Sequence, residues 1–399
     1  MADMKVLITT DWYKPAINGV VTSVLSLRAG LEKMGHEVRI LTLSGDRHSR
    51  REGCVTFVGS AGAGKIYPGA RFLVTTGRSY IRDIVEWHPD VIHSQCEFFT
   101  YFLARRISKM CGCPIVHTYH TDYEDYTSYF CPSKKMGKRL AALYSRMILR
   151  TSDEVIVPTE KIMNLLGGYG IKTPVSVIPS GLMLGQFRNV DMKSVDELRE
   201  KYGIGRNMKV LVYLGRLAKE KRVDELLRLV SEQNDPGIRL LIVGDGPYRS
   251  RLQEQAENMN IADRVIFTGM AEPSEVARYY KLGDIFVSAS QSETQGLTYI
   301  EAMASGLPLL CREDTCLKGV IRNGITGYTY SSGEEFASRL ETMTENPEYM
   351  KNMGENAEKA AFSRYSETAF AEKAEAVYKR AIAEHRIENE VQETRIQAV

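Results

Sequence analysis

The sequence predicts an α/β protein built from two doubly wound parallel-sheet domains. Short β-branched runs alternate with longer helical patterns along all 399 residues, the arrangement of parallel strands joined by crossover helices. That succession starts twice, each time with a strand, a loop and a helix. At about 150 residues per domain the length allows two or three domains, each able to bury its own core.

In the first half the expected strands lie at 5–10, 38–43, 91–94, 114–119, 154–158 and 175–179, each an apolar run of strand length bounded by turn residues. The order begins again at 209–214 and continues with 239–243, 264–267, 284–289 and 307–311. Between the halves, PSGLMLGQFRNVDMKSVDELREKYG (179–203) is irregular at first and then reads as a short charged helix, so the linker is placed near 181–190. After Glu335 the chain is helical in pattern almost to its end, rich in Ala, Glu and Lys, with Pro347 its one proline. The expected division is 1–185 for the first domain, 186–364 for the second, and 365–399 for a terminal helix that crosses back to the first. No repeat of 20 to 50 residues occurs, which excludes solenoids and propellers.

With 43% hydrophobic and 26% charged residues the composition is that of a globular protein and excludes collagen, disordered and low-complexity classes. No run approaches the roughly 18 apolar residues a spanning helix needs, so the expectation is a chain that neither crosses a membrane nor is exported. Seven cysteines, odd in number and without a C-x-x-C pair, fit buried thiols in a reducing compartment better than a disulfide framework or a zinc site. The net charge of +2 hides an asymmetry. Up to residue 185 there are 23 Lys and Arg against 16 Asp and Glu, and beyond it 29 against 34.

The segment SETQGLTYIEAMASGLP (292–308) follows an expected strand and reads as a helix from about Gln295. A helix start offers unpaired N–H groups, here of Gln295, Gly296 and Leu297, which with the helix dipole make an anion seat. Glu293 before it and Glu301 two turns into it would repel a phosphate, so they fit hydroxyls on either side of one, a sugar and a ribose. The same residues also fit a capping arrangement with Ser292 or Thr294 as cap. GRLAKEKRVDEL (215–226) places Arg216 and Lys221 in a strand-to-helix loop, a fork and a point charge suited to a pyrophosphate. A solvated charge run is the alternative, since Glu220, Arg222, Asp224 and Glu225 are close by in sequence.

GRLAKEK, then LLIVGDGP (240–247), then the two glutamates with seven residues between them in SETQGLTYIEAMASGLP resemble, in that order and over essentially the whole chain, the retaining glycosyltransferases of family 4. The resemblance implies the GT-B fold, two Rossmann-like domains facing a central cleft. It implies a nucleoside-diphosphate hexose donor, a UDP-hexose in the lipid-glycosylating subgroup, with Arg216 and Lys221 on the diphosphate, Gln295, Gly296 and Leu297 offering amides, Glu293 on the sugar and Glu301 on the ribose. INGVVTSV (17–24) would place Gly19 in the loop against the donor phosphates, and His120 matches the family histidine beside the anomeric centre. His117, three residues earlier, is expected to face the other way. His117, His120 and Asp122 are poorly spaced for a metal, and no D-x-D triplet occurs, so no metal and no cofactor is expected.

HTYHTDYEDY and ITTDWYKPAINGVV look closest to the bacterial 1,2-diacylglycerol 3-glucosyltransferases, which implies transfer of glucose to a membrane lipid. The departure is IPSGLMLGQF, where Leu182 to Leu184 stand in place of the usual acid. A lipid acceptor has independent support. No acid occurs between Asp125 and Asp153, while Lys134, Lys135, Lys138, Arg139 and Arg146 do. Leu140, Leu143, Tyr144, Met147 and Ile148 recur there at helical spacing. The apolar stripe is assigned to the core and the basic side to an anionic leaflet. The expected location is cytoplasmic, peripheral on the inner face of the membrane, with no nucleic-acid partner. GSAGAGK (59–65) has P-loop spacing, but Ile66 stands where the Mg²⁺-binding hydroxyl belongs, so it is read as a loop. The alternatives are a family 4 enzyme with a soluble or polyprenyl-linked acceptor, a sugar-nucleotide epimerase of the same fold, and a non-catalytic sugar-nucleotide binding protein.

Overall fold

A computed structural model describes residues 3–62, 71–75, 77–121, 124 and 133–397. The chain divides into two compact units, Met1–Leu182 with Glu367–Val399, and Met183–Ser366.

The first unit holds β1 (Lys5–Thr10), β2 (Glu37–Leu43), β3 (Arg50–Glu52), β4 (Val55–Val58), β5 (Ser60–Gly62), β6 (Arg71–Leu73), β7 (Val91–Ser94), β8 (Ile115–Thr118), β9 (Glu154–Val157) and β10 (Val175–Val177). Eight of them form one sheet in the order β10-β9-β8-β7-β1-β2-β4-β3. All its pairings are parallel except β3 against β4. Successive residues of β1 serve different cores: Val6 and Ile8 pack with helices Gly19–Lys33 and Glu367–Gln397, and Leu7 packs on the other face with Ile92, Ile115 and Tyr101. A strand covered on both faces must be apolar throughout, which is why these runs are continuous in the sequence.

The second unit holds β11 (Lys209–Leu214), β12 (Ile238–Val243), β13 (Val265–Gly269), β14 (Ile285–Ser288), β15 (Leu309–Arg312) and β16 (Gly327–Tyr330). They form an all-parallel sheet in the order β13-β12-β11-β14-β15-β16. In each sheet the strand order reverses once, beside β1 in the first and beside β11 in the second, and ligands of such sheets bind outside the carboxyl ends of the strands at that point. The first position is where β1 and β7 end, at Thr10 and Ser94; the second is where β11 and β14 end, at Leu214 and Ser288.

Several elements differ from expectation. β3, β4, β5, β6 and β16 were not expected; all are three- or four-residue strands, too short to carry a period, with β4 between β2 and β3 and the others at edges or in a hairpin. In the 59–65 segment, Ser60–Gly62 form β5, paired with β6, and residues 63–70 lie outside the described residues. The terminal segment is three helices, Gly333–Glu345, Pro347–Arg364 and Glu367–Gln397, and the last begins at the unit boundary. Leu182, Leu184 and Phe187, around that boundary, are buried while Met183 is half exposed, so two of the three apolar residues that replace the usual acid pack inward.

The helix Glu367–Gln397 belongs to the first unit's core, where Phe370, Ala371, Ala374, Val377 and Tyr378 are buried among β-strand residues. It runs against Gly19–Lys33 so closely that a Cβ on Gly30 would lie 2.2 Å from the Glu367 carbonyl oxygen and 2.7 Å from the Ala371 Cβ. Arg380 pairs with the buried Glu154, and His385 Nδ1 lies 2.7 Å from Asp153 Oδ1.

Gly30→Ala is therefore expected to destabilise the protein by about 1–3 kcal/mol, the cost of overpacking against backbone that cannot move aside. Gly167→Ala, in a helix where a Cβ meets nothing within 4 Å, is expected to be neutral or stabilising. Urea denaturation of both variants checks this contrast.

Candidate active site

In the second unit, β11 runs directly into Gly215 and Arg216, and a short 3₁₀ turn, Lys219–Lys221, precedes the helix Val223–Ser231. The GDGP segment braces this loop. Gly215 N–H donates to the Val243 carbonyl, Leu217 N–H to Asp245, and Tyr248 N–H to Leu217. Backbones touch here: a Cβ on Gly246 would lie 2.3 Å from the Leu217 oxygen. The glycines of LLIVGDGP thus let one loop clamp the other.

Beyond β14, Glu293 sits with Oε1 2.6 Å from Lys221 Nζ, and it also accepts from the Ser290 hydroxyl at 3.0 Å. Arg216 is turned to its own loop, its Nη2 2.5 Å from Glu220 Oε1, and is 61% exposed. Both pairs act on the buried Tyr213 hydroxyl, whose pKa is raised by burial and then by the carboxylates of Glu293 and Glu220. Arg216 offsets only part of this, so the phenol stays protonated.

The helix expected from Gln295 begins at Leu297 and runs to Ala304. The reason is Gly296, which stands at its N-cap in the left-handed region, φ +72°, where a Cβ would lie 2.3 Å from the Tyr299 ring. The Gly296 and Leu297 amides therefore stand at the helix start, while Gln295 is buried before it. Glu301, one turn in, accepts from the Tyr280 hydroxyl at 2.9 Å, and the protein surrounding its carboxyl pushes the pKa up to about 7. Tyr280 and Ser290 were not singled out from the sequence. Nothing local marks them, because each meets its glutamate only through the fold.

In the first unit, Gly19 opens the helix Gly19–Lys33, capped by Asn18, which accepts from the Val21 amide at 2.9 Å. β8 ends at Thr118, so His120 is past the strand, and the alternation that would send it away from His117 no longer applies. The two histidines act on each other electrostatically. His120 Nε2 bonds to Gln95 Oε1 at 2.6 Å, and burial lowers the His120 pKa to about 4. His117 Nε2 faces Glu97 Oε1 at 3.3 Å. Asp11, just beyond β1, accepts from the Thr100 amide at 2.8 Å, and burial raises its pKa to about 6. It was not expected as a site residue, although its position after the first strand could have signalled it.

Asp122 of the metal reading lies outside the described residues, and among those described no group of three or more His, Cys, Asp or Glu side chains is placed to hold a metal. No described helix is long and apolar enough to cross a membrane.

The basic segment forms the helix Lys134–Leu149. Its apolar residues do not all pack inward. Ala141, Ile148 and Leu149 are buried, but Leu143 is 60% exposed and Met136, Leu140 and Met147 are nearly half exposed. At i, i+4, i+7 and i+11 these four form a stripe of their own on the outer side. The assignment of Leu140, Leu143 and Met147 to the core is thus corrected: periodicity reveals a stripe, and this helix has apolar residues on two sides. Lys135, Lys138, Arg139 and Arg146 line a depression of about 460 Å³ with Ala142, Gly168 and Tyr169. Lys138 also meets Glu124 at 3.2 Å. The side chain of Lys134 lies outside the described residues.

Two family models match the chain, Glycosyltransferase Family 4 over residues 17–185 and Glycosyl transferases group 1 over residues 194–360. An alpha-monoglucosyldiacylglycerol synthase of Streptococcus pneumoniae is 36% identical over 341 residues, covering 84% of this chain and 77% of that protein. One from Acholeplasma laidlawii is 32% identical over 388 residues, covering 94% and 96%. Among solved structures, Anabaena Alr3699/HepE in complex with UDP and glucose superposes with a TM-score of 0.72 at 17% identity, over 94% of this chain and all of that one. The fold is GT-B, and the chain is an enzyme that belongs to the family 4 glycosyltransferases.

Gly296→Ala forces a left-handed backbone and a ring collision, and is expected to lower the melting temperature by an amount equivalent to about 1–3 kcal/mol. Glu301 has a second signature. Its folded pKa lies above the ordinary 4.5, so the folded state loses stability as the pH rises from about 4.5 to about 7 and little more above that. The stability advantage of the wild type over Glu301→Gln is expected to shrink across that window, as denaturation at pH 5 and pH 8 will show.

Proposed function

We propose that this glycosyltransferase moves a glucosyl group from UDP-glucose to the hydroxyl of a diacylglycerol at an anionic membrane surface, with retention of configuration and without a metal ion. The observation that carries the choice of acceptor is the outward stripe of Met136, Leu140, Leu143 and Met147, flanked on one side by Arg139 and Arg146, with Lys135 and Lys138 further round the same helix. An apolar ridge beside cations suits insertion into the headgroup boundary of an anionic leaflet. The relatives named alpha-monoglucosyldiacylglycerol synthase support the same acceptor and sugar. UDP-glucose is itself an α-glycoside, so an α product means retention.

As UDP departs, negative charge grows on its diphosphate. Arg216, Lys221 and the Gly296 and Leu297 amides, with Gln295 beside them, are assigned to that charge, and fixed cations and dipoles aimed at it lower the barrier. Lys221 already faces Glu293 across 2.6 Å, so one short ion pair holds ready both the phosphate's cation and an acceptor for the sugar's hydroxyls. Glu301 is assigned to the ribose. Its pKa of about 7 keeps a large neutral fraction near neutrality, and the Tyr280 hydroxyl fixes its orientation. Gly19 is assigned to the donor phosphates and His120 to the sugar near its anomeric carbon. His120 is neutral at pH 7, so it adds no positive charge beside a carbon that is itself becoming positive.

With UDP-[¹⁴C]glucose and vesicles of phosphatidylglycerol and diacylglycerol, label is expected in the organic phase, undiminished by a chelator. Arg216→Ala and Lys221→Ala are each expected to lower kcat by about 10²–10³-fold, as loss of one charge-stabilising donor does. Leu143→Glu is expected to reduce vesicle sedimentation and lipid glucosylation while leaving UDP binding unchanged. Label found only on added soluble sugars would replace the lipid acceptor with a soluble one.

A further inference from the structure

We infer that Gln95 is a positioning residue that fixes which ring nitrogen of His120 carries the proton, and that it is itself held by a buried chain ending on the C-terminal helix. The chain has four members. Gln95 Oε1 lies 2.6 Å from His120 Nε2, and Gln95 Nε2 lies 3.0 Å from His93 Nε2. His93 Nε2 is also 2.6 Å from the Thr118 hydroxyl, and His93 Nδ1 is 2.5 Å from the Tyr378 hydroxyl. Gln95, His93, Thr118 and Tyr378 are each no more than 1% exposed.

A carboxamide has one end that only accepts and one that only donates, so it imposes a direction on everything bonded to it. Its oxygen faces His120 Nε2, so that nitrogen holds the proton. Its NH₂ faces His93 Nε2, so that nitrogen is bare, and its lone pair takes the Thr118 hydroxyl as well. Neutral His93 then carries its proton on Nδ1 and donates it to Tyr378. Burial holds His93 far below the usual histidine range, which keeps it neutral and the direction single.

What this leaves at His120 is an imidazole whose N–H is spent on Gln95 and whose Nδ1 is a pure acceptor. Such an atom takes a hydrogen bond from a sugar hydroxyl and offers none to it. The inference rests on the assignment of His120 to the donor sugar made above, but the proton's place can be read without it.

Protein labelled with ¹⁵N-histidine, with His120 assigned by comparison with His120→Asn, reports the ring protonation directly at pH 7. The wild type is expected to show His120 protonated on Nε2. Gln95→Leu is expected to mix or reverse the two tautomers and to lower kcat by about tenfold or more, with the KM for UDP-glucose within about twofold, as misorientation of a contact group does. Gln95→Glu keeps an acceptor oxygen and is expected to keep the Nε2 proton, and it stands in should the leucine variant not fold. A wild-type His120 protonated on Nδ1, or a tautomer indifferent to Gln95→Leu, would overturn the inference whatever happens to turnover. A tautomer that changes while kcat does not would overturn the positioning role of Gln95. If His120→Ala alone keeps full activity, that assignment fails by itself.

Discussion

A parallel strand covered on both faces keeps a polar side chain at little cost only where a partner is at hand, as His93 finds in Tyr378 and Thr118, and leaves most of its polar groups to its carboxyl end. That constraint organises both units. β1, β7, β11 and β14 are buried along nearly their whole length, and their polar groups gather in the last residues and just beyond: Thr9, Thr10 and Asp11 at β1, His93, Ser94 and Gln95 at β7, Arg216 after β11, and Ser288 with the serine–glutamate segment at β14. Because neighbouring crossovers leave in opposite directions at these strands, the space beyond their carboxyl ends is not covered by a helix. The chemistry is therefore confined to a few residues that follow an apolar run, and each inherits the rigidity of the sheet behind it.

Rigidity is reinforced by close backbone contact. The loop bearing Arg216 is held because the stretch from Val243 to Tyr248 grips it through three main-chain hydrogen bonds and its glycines leave no room for side chains at the contact. Likewise Gly296 turns the chain into its helix at a point where Tyr299 fills the space a side chain would need. In both places glycine supplies proximity more than flexibility, and the polar groups that face outward gain a fixed origin.

The sequence made some of this visible and hid the rest for physical reasons. Strands buried on two faces announce themselves as apolar runs, so the central ones were readable almost to the residue, whereas β16, a four-residue edge strand of Gly and aromatic residues, has no such signature. Arg216, Lys221, Glu293 and Glu301 could be proposed from the sequence because each lies within a loop or helix start whose local pattern suits anions and hydroxyls. Tyr280, Ser290 and Gln95 were not, since each acquires meaning from a neighbour brought close only by folding. The helix Lys134–Leu149 shows the limit of periodicity: spacing gave the apolar positions, but only the packed structure separates Ile148, which faces protein, from Leu143, which does not.

The return of Glu367–Gln397 to the first unit makes the second unit, topologically, an insertion. On the ribosome, the residues that seal one side of β1 emerge only after all of residues 183–366 have been made. Val6, Ile8 and the helix around Gly30 must wait, partly uncovered, through that whole interval, while the inserted unit is complete in itself and can settle first. The order of maturation thus runs against the order of synthesis, and nascent chains stalled before Phe370 would be the ones that chaperones must shield.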